Sequence, residues 1–109
     1  MKVLTFHGSA LGDLRAFPPA ARRDAGYQLD KVQHGLMPSD WKPMPTIGIG
    51  VQEIRIRDES GAFRVIYVAK FADAVHVLHC FQKKTQKTST ADLDLAAKRY
   101  ADLARELGR

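Results

Sequence analysis

Apolar and polar positions alternate in three different rhythms along this chain. VLTF (3–6) is a short β-prone run and predicts a first strand. Ser9 precedes ALGDLRAF (10–17), in which Leu11, Leu14 and Phe17 fall on roughly one side of a helix that Pro18 and Pro19 interrupt. Pro19 also suits the first position of a second helix, where its missing N–H costs little. That helix, AARRDAGYQLDKVQHG (20–35), repeats apolar residues at helical spacing through Ala21, Ala25, Leu29 and Val32, and Gly35 stops it. Three prolines and two glycines in LMPSDWKPMPTIGIG (36–50) predict a loop.

From residue 51 the rhythm shortens to two. VQEIRIR (51–57) sets Ile54 and Ile56 on one side and Glu53, Arg55 and Arg57 on the other. DESG (58–61) has hairpin length, with glycine where a positive φ is often needed. AFRVIYVAK (62–70) and VHVLHCF (75–81) are apolar on both faces, as central strands are. Helical spacing returns after Ser89, a candidate cap with Asp92 three residues on, and runs through Leu93, Ala97, Tyr100, Leu103 or Ala104, and Leu107 to Gly108. The order β-α-α-β-β-β-α predicts an α+β domain, one unit over residues 1–109, with helices packed on an antiparallel sheet.

Composition narrows the function classes. At 109 residues the chain supports one modest core, and no run approaches the roughly 20 apolar residues of a transmembrane helix. Cys80 is alone, so no intrachain disulfide or cysteine metal cluster forms, and a reducing cytoplasm is the simplest home. The net charge of +5 favours an anionic partner.

The cations are placed unevenly. No carboxylate occurs from Ala74 to Ala91, a stretch with three lysines and two histidines. Lys83, Lys84 and Lys87 with Thr85, Thr88 and Ser89 offer ammonium and hydroxyl donors just before a helix N-terminus, a set that binds phosphate. A solvated loop is the plainer account. Arg64, inside FRVIY, either snorkels or pairs with Glu53 across the hairpin, or stands as a guanidinium fixed to clamp a phosphate. Arg55 and Arg57 read first as the wet side of their strand, although cross-strand pairing would bring one of them near Arg64. His76 and His79, three apart on a strand, point to opposite faces, which argues against a two-histidine metal site. His79 serves as a general base or acid only if it shares a groove with Arg64.

No Gly-rich phosphate loop, HExxH or G-x-S-x-G is present. An enzyme with this inventory works through cationic side chains. RNA cleavage by the neighbouring 2′-hydroxyl fits, because it needs a base, an acid and positive charge on the phosphorane but no metal or other cofactor.

SGAFRVIYVAKFADAVHVLHCFQKKTQKTSTADLDLAAKRYADL (60–103), with FHGSALGDLRAFP, AGYQLDKVQHGLMPSDWKPM and GVQEIRIRDESG, resembles the HigB-like, phage-derived branch of the RelE/ParE toxin superfamily. The resemblance implies a cytoplasmic toxin of a type II toxin–antitoxin module, with a twisted antiparallel sheet, two N-terminal helices and a basic cleft. The implied activity is metal-independent cleavage of mRNA on the ribosome. The implied partner is a HigA-like helix-turn-helix antitoxin, through which alone the toxin meets DNA; no membrane is involved. On this likeness Arg64 addresses the scissile phosphate, and Lys83 and Lys84 contribute phosphate contacts or proton transfer, with His79 open as the base. Arg55, Arg57 and Lys87 contact RNA. Relatives often use a C-terminal tyrosine, but Tyr100 falls on the apolar stripe and Tyr67 lies opposite Arg64, so both are expected to pack. The alternatives are a ParE-like gyrase inhibitor and a basic RNA- or protein-binding module without catalysis.

Overall fold

A computed structural model describes residues 1–108. The elements are β1 (Val3–Phe6), α1 (Ala10–Arg15), α2 (Pro19–Gln33), β2 (Trp41–Pro43), β3 (Val51–Asp58), β4 (Gly61–Val68), β5 (Ala74–Lys83) and α3 (Thr90–Glu106). The strands form one sheet in the order β1-β5-β4-β3-β2. The α+β class and the helix order expected from the sequence are present. Two features differ: β1 runs parallel to β5, so the sheet is mixed, and WKP adds an edge strand inside the expected loop. Pro43 is compatible with pairing there because an edge strand can turn its missing N–H outward.

β1 and β2 occupy opposite edges, so the chain between them must cross one face of the sheet. It does so as α1 and α2. Their buried residues Leu14, Ala21, Ala25, Leu29 and Val32 pack on Ile54, Ile56, Phe63, Val65, Tyr67, Val77 and Cys80. On the other face α3 lays Ala96 and Leu103, with half-buried Leu93, Ala97 and Tyr100, over Val51, Ile66, Val68 and Leu78. The helical stripe thus centres on Ala96 and Leu103, and Leu107 at its end is exposed.

β5 carries a bulge. Ile66 pairs with His79 but Tyr67 pairs with Val77, leaving Leu78 unpaired. The extra residue resets the alternation, so His76 and His79 lie on the same face, opposite Val68 and Ile66, against the simple period of two. They engage different carboxylates: His76 Nε2 is 3.0 Å from Asp73, and His79 Nε2 is 2.7 Å from Asp92. Arg99 of α3 donates to the bulge carbonyl of Leu78 at 2.9 Å and to Ser9 Oγ at 3.2 Å, tying α3 to the start of α1.

Gly8 makes that tie possible. Its φ is +55°, and a Cβ there would lie 2.6 Å from the Arg99 guanidinium. Gly12, inside α1, has open space. Gly8→Ala is therefore expected to lower stability by about 1–3 kcal/mol, through a disfavoured backbone conformation and displacement of Arg99. Gly12→Ala should raise stability by about 0.5–1 kcal/mol. Urea unfolding of both variants checks the pair.

Candidate functional site

On the α3 side of the sheet, the register stacks side chains in rungs across β3, β4 and β5. They read Arg57–Ala62–Lys83, Arg55–Arg64–Phe81, Glu53–Ile66–His79 and Val51–Val68–His76. Lys42 of β2 stands opposite Glu53 and extends the third rung. The apolar side of α3 covers the last two rungs and reaches Phe81 of the second, while Arg57, Arg64 and Lys83 line a cavity beside the 84–89 loop.

What fixes this limit is the start of α3. Ser89 Oγ accepts from the Asp92 N–H at 3.1 Å and donates to its carboxylate at 2.7 Å. The same carboxylate holds His79, which is buried and stacked on Phe81 at 4.9 Å between ring centres. Helix α3 is thereby pinned above the third rung. The expected cap at Ser89 is present, and Asp92 has a second task as the histidine's partner.

Arg64 is only 4% exposed. Its Nε lies 3.5 Å from Glu53 Oε1, an ion pair too long to count as a good hydrogen bond, and its Nη1 donates to the Phe63 carbonyl at 3.1 Å. Glu53 itself is 1% exposed, and Arg64 Nε and Glu53 Oε2 have no hydrogen-bond partner among the described residues. Burial weakens the charged form of Arg64, and Arg55 and Arg57 add repulsion, while Glu53 and Asp40 oppose them. Arg64 is thus paired with Glu53, as one of its sequence readings expected, and it also lines two cavities.

The larger cavity, about 530 Å³, is bounded by Arg57, Ala62, Arg64, Lys83, Lys84, Thr85 and Gln86. The smaller, about 170 Å³, is bounded by Asp40, Arg55, Ile56, Arg57 and Arg64. Arg57 and Arg64 form the wall between them. The Lys83 ammonium is pulled below its ordinary range by desolvation and then by the charge of Arg64, with smaller pushes from Lys42 and Arg55. A lysine so placed gives up its proton more readily than one in water.

The structure therefore gathers Arg55, Arg57, Arg64, Lys83 and Lys84 into one cleft. Lys87 sits on the exposed 84–89 loop but lines neither cavity. His79 lies one rung behind Phe81, in a separate cavity shared with Asp13, Phe17 and Pro18 of the α1 side. Its Nδ1 is buried without a partner. Tyr67 packs away from the cleft, its hydroxyl donating to Gln52 at 2.6 Å, and burial pushes its pKa up to about 12. Tyr100 is half-buried, packs against Gly48 and donates to the Ile49 carbonyl at 3.3 Å. Sequence reasoning missed Lys42 and Asp40, because the proline-rich segment masked the edge strand that holds Lys42 opposite Glu53 and sets Asp40 just before it at the smaller cavity.

A larger concavity of about 640 Å³ lies elsewhere, between the end of α2 and the Gly50–Gln52 and Tyr67–Lys70 segments. It is lined largely by apolar surface and shares no residue with the basic cleft. The cleft, with its convergent cations, has the chemistry.

Among known proteins, the family model described as Phage derived protein Gp49-like (DUF891) matches residues 12–101. No curated protein matches the chain. Among the described residues no helix is long and apolar enough to cross a membrane.

The buried pair sets a stability test. Glu53→Ala leaves the Arg64 charge buried and uncompensated and is expected to cost about 3–5 kcal/mol. Replacing both, as Glu53→Ala with Arg64→Met, should restore a large part of that loss in the same denaturation assay.

Proposed function

Since the chain belongs to the phage-derived Gp49-like family, a RelE/ParE-like toxin group of toxin–antitoxin systems, we propose that it is an mRNA endonuclease of the HigB type, acting without a metal on ribosome-bound message. One toxin domain spans residues 1–109, works in the cytoplasm and is neutralised by a helix-turn-helix antitoxin of the HigA kind. The observation that carries this reading is Arg64, a guanidinium held rigid by Glu53 and the Phe63 carbonyl at the wall of an otherwise cationic cleft.

Each step of the reaction has a group suited to it. A base removes the 2′-hydroxyl proton, and the 2′-oxygen attacks the adjacent phosphorus. The bond to the 5′-oxygen breaks, and that oxygen takes a proton as it leaves. The products are a 2′,3′-cyclic phosphate and a 5′-hydroxyl. Arg64 and Arg57 stabilise the charge on the phosphorane oxygens, an electrostatic effect that grows in a fixed, poorly solvated site. Lys83, with its lowered proton affinity, takes the base role. Lys84 protonates the leaving oxygen, and Arg55 and Lys87 hold flanking phosphates. His79 acts one step back: through Asp92 and Ser89 it holds the 84–89 loop over the phosphate.

Arg64→Ala would also strip Glu53 of its counter-charge, so loss of folding and loss of chemistry would be confounded. Arg64→Lys keeps a cation against Glu53 but loses the planar fork. It should fold, with a far-UV spectrum and melting point near those of the parent, and cleave on the order of 10²–10³-fold more slowly. A folded, fully toxic Arg64→Lys protein would overturn the assignment. A DNA-damage response with inhibited supercoiling, in place of cut transcripts, would point to the gyrase-directed branch. Salt-sensitive RNA binding without cleavage or toxicity would leave only a binding module.

The pH dependence follows from Lys83. A base acts in its neutral form, so the cleavage rate should rise with pH through the Lys83 pKa, at a midpoint below that of an ordinary lysine. Lys83→Arg stays protonated throughout, so that limb should vanish from the rate profile while the protein stays folded.

A further inference from the structure

The smaller cavity beside Arg64 contains a group that a phosphate site should not have. Asp40 lines this notch with Arg55, Arg57 and Arg64, its negative charge acts on Arg64, and its carboxylate forms no hydrogen bond or ion pair among the described residues. Its backbone is fixed, since the Arg55 N–H donates to the Asp40 carbonyl at 2.9 Å. β2 begins only at Trp41, opposite Ile54, so no strand covers the β3 edge at Ile56 and Arg57. The result is a notch of about 170 Å³ with one acidic end and guanidinium walls. Arg64, 4% exposed and with its Nε unpartnered, lines it.

We propose that this notch is a nucleobase subsite selective for guanine, holding the base next to the phosphate that Arg64 and Arg57 contact. Guanine alone among the four RNA bases offers two adjacent donors, N1–H and N2–H, to one carboxylate, and it carries two acceptors, O6 and N7, that arginine pairs with. Adenine turns the N1 lone pair toward the same carboxylate, and cytosine turns its N3 lone pair there beside a single amino donor. Uracil has one ring N–H flanked by two carbonyls. A phosphate in the notch would also meet Asp40, whose repulsion offsets part of the arginines' attraction and which a guanine edge would instead satisfy. Because Arg57 and Arg64 also wall the larger cavity, a base in the notch and a phosphate in the cleft would belong to neighbouring positions of one strand. The placement of the base relative to a cut rests on the proposed endonuclease activity; the preference for guanine does not.

Two measurements on the full chain test this separately. In the first, 3′-GMP, 3′-IMP and 3′-AMP are titrated into the parent protein and into Asp40→Asn, and binding is followed by NMR. The parent should prefer GMP over AMP by roughly tenfold or more, with IMP, which lacks the 2-amino group, between them. Asp40→Asn should lose most of that preference. Equal affinities for the three nucleotides in the parent, or uniformly tighter binding of all three by Asp40→Asn, would overturn the proposal and mark the notch as a phosphate site. In the second, cut sites are mapped in a transcript of random sequence. Enrichment of guanine at one position flanking the cut, lost in Asp40→Asn, supports the subsite. Cutting without guanine enrichment overturns the subsite while sparing the endonuclease. GMP preference in a protein that cuts no RNA overturns the endonuclease while sparing the subsite.

Discussion

The cleft depends on one buried charge pair. Removing a guanidinium and a carboxylate from water is costly, and a 3.5 Å contact between Arg64 and Glu53 with imperfect hydrogen bonding recovers only part of that cost. A hydrophobic pair would fill the same space more favourably. What the ion pair supplies is a cation whose position is set by the sheet and by a carboxylate that cannot leave. Arg55 lies directly across from Arg64 on β3, and like charges facing each other across strands are destabilising. Glu53, two residues along that strand, lets the stack exist in a folded protein.

The second constraint is where α3 begins. Had the helix started one turn earlier, its apolar stripe would have extended past Phe81 over Arg55 and Arg64 and closed the cleft. Ser89 caps the helix, and Asp92 spans from that cap to His79 on the third rung. Midway along the helix, Arg99 reaches the bulge carbonyl of Leu78. These anchors fix the helix lengthwise, so it covers the inner rungs as far as Phe81 and leaves the cavity at Arg57, Arg64 and Lys83. The bulge is part of the same arrangement, because without its extra residue His79 would face α1 and α2.

Much of this was legible in the sequence wherever one short-range rule decided the outcome. The apolar stripe of α2, the Ser89 cap, the Gly61 turn and the central position of β4 and β5 follow from spacing and residue type. The sequence expected one of Arg55 and Arg57 near Arg64, and the register set by the hairpin turn makes it Arg55. The rest depended on long-range geometry. The parallel pairing of β1 with β5 joins residues some seventy positions apart, and nothing in VLTF encodes its direction. A bulge leaves no mark when every residue around it is apolar or histidine, so a period of two misplaced His76 relative to His79. Lys42 and Asp40 sit among prolines that argue for a loop, and only a neighbouring strand could reveal the edge pairing.

The distribution of unsatisfied groups distinguishes this cleft from a merely basic surface. A solvated patch of lysines holds its charges apart and leaves no polar atom buried alone. Among the described residues, the three buried side-chain atoms without partners, on Glu53, Arg64 and His79, lie on two adjacent rungs of one sheet face. Lys83 beside them is held below its usual proton affinity. Each departure lowers the stability of the free protein, and an anion bound on the open rungs would relieve the repulsion among Arg55, Arg57, Arg64 and Lys83 together. Binding energy released in that way is greatest for the species with the most negative charge at the right place. In the RNA cleavage proposed above, that species is the phosphorane and not the ground-state phosphate, so under that proposal the same strain that weakens the empty fold would favour the transition state.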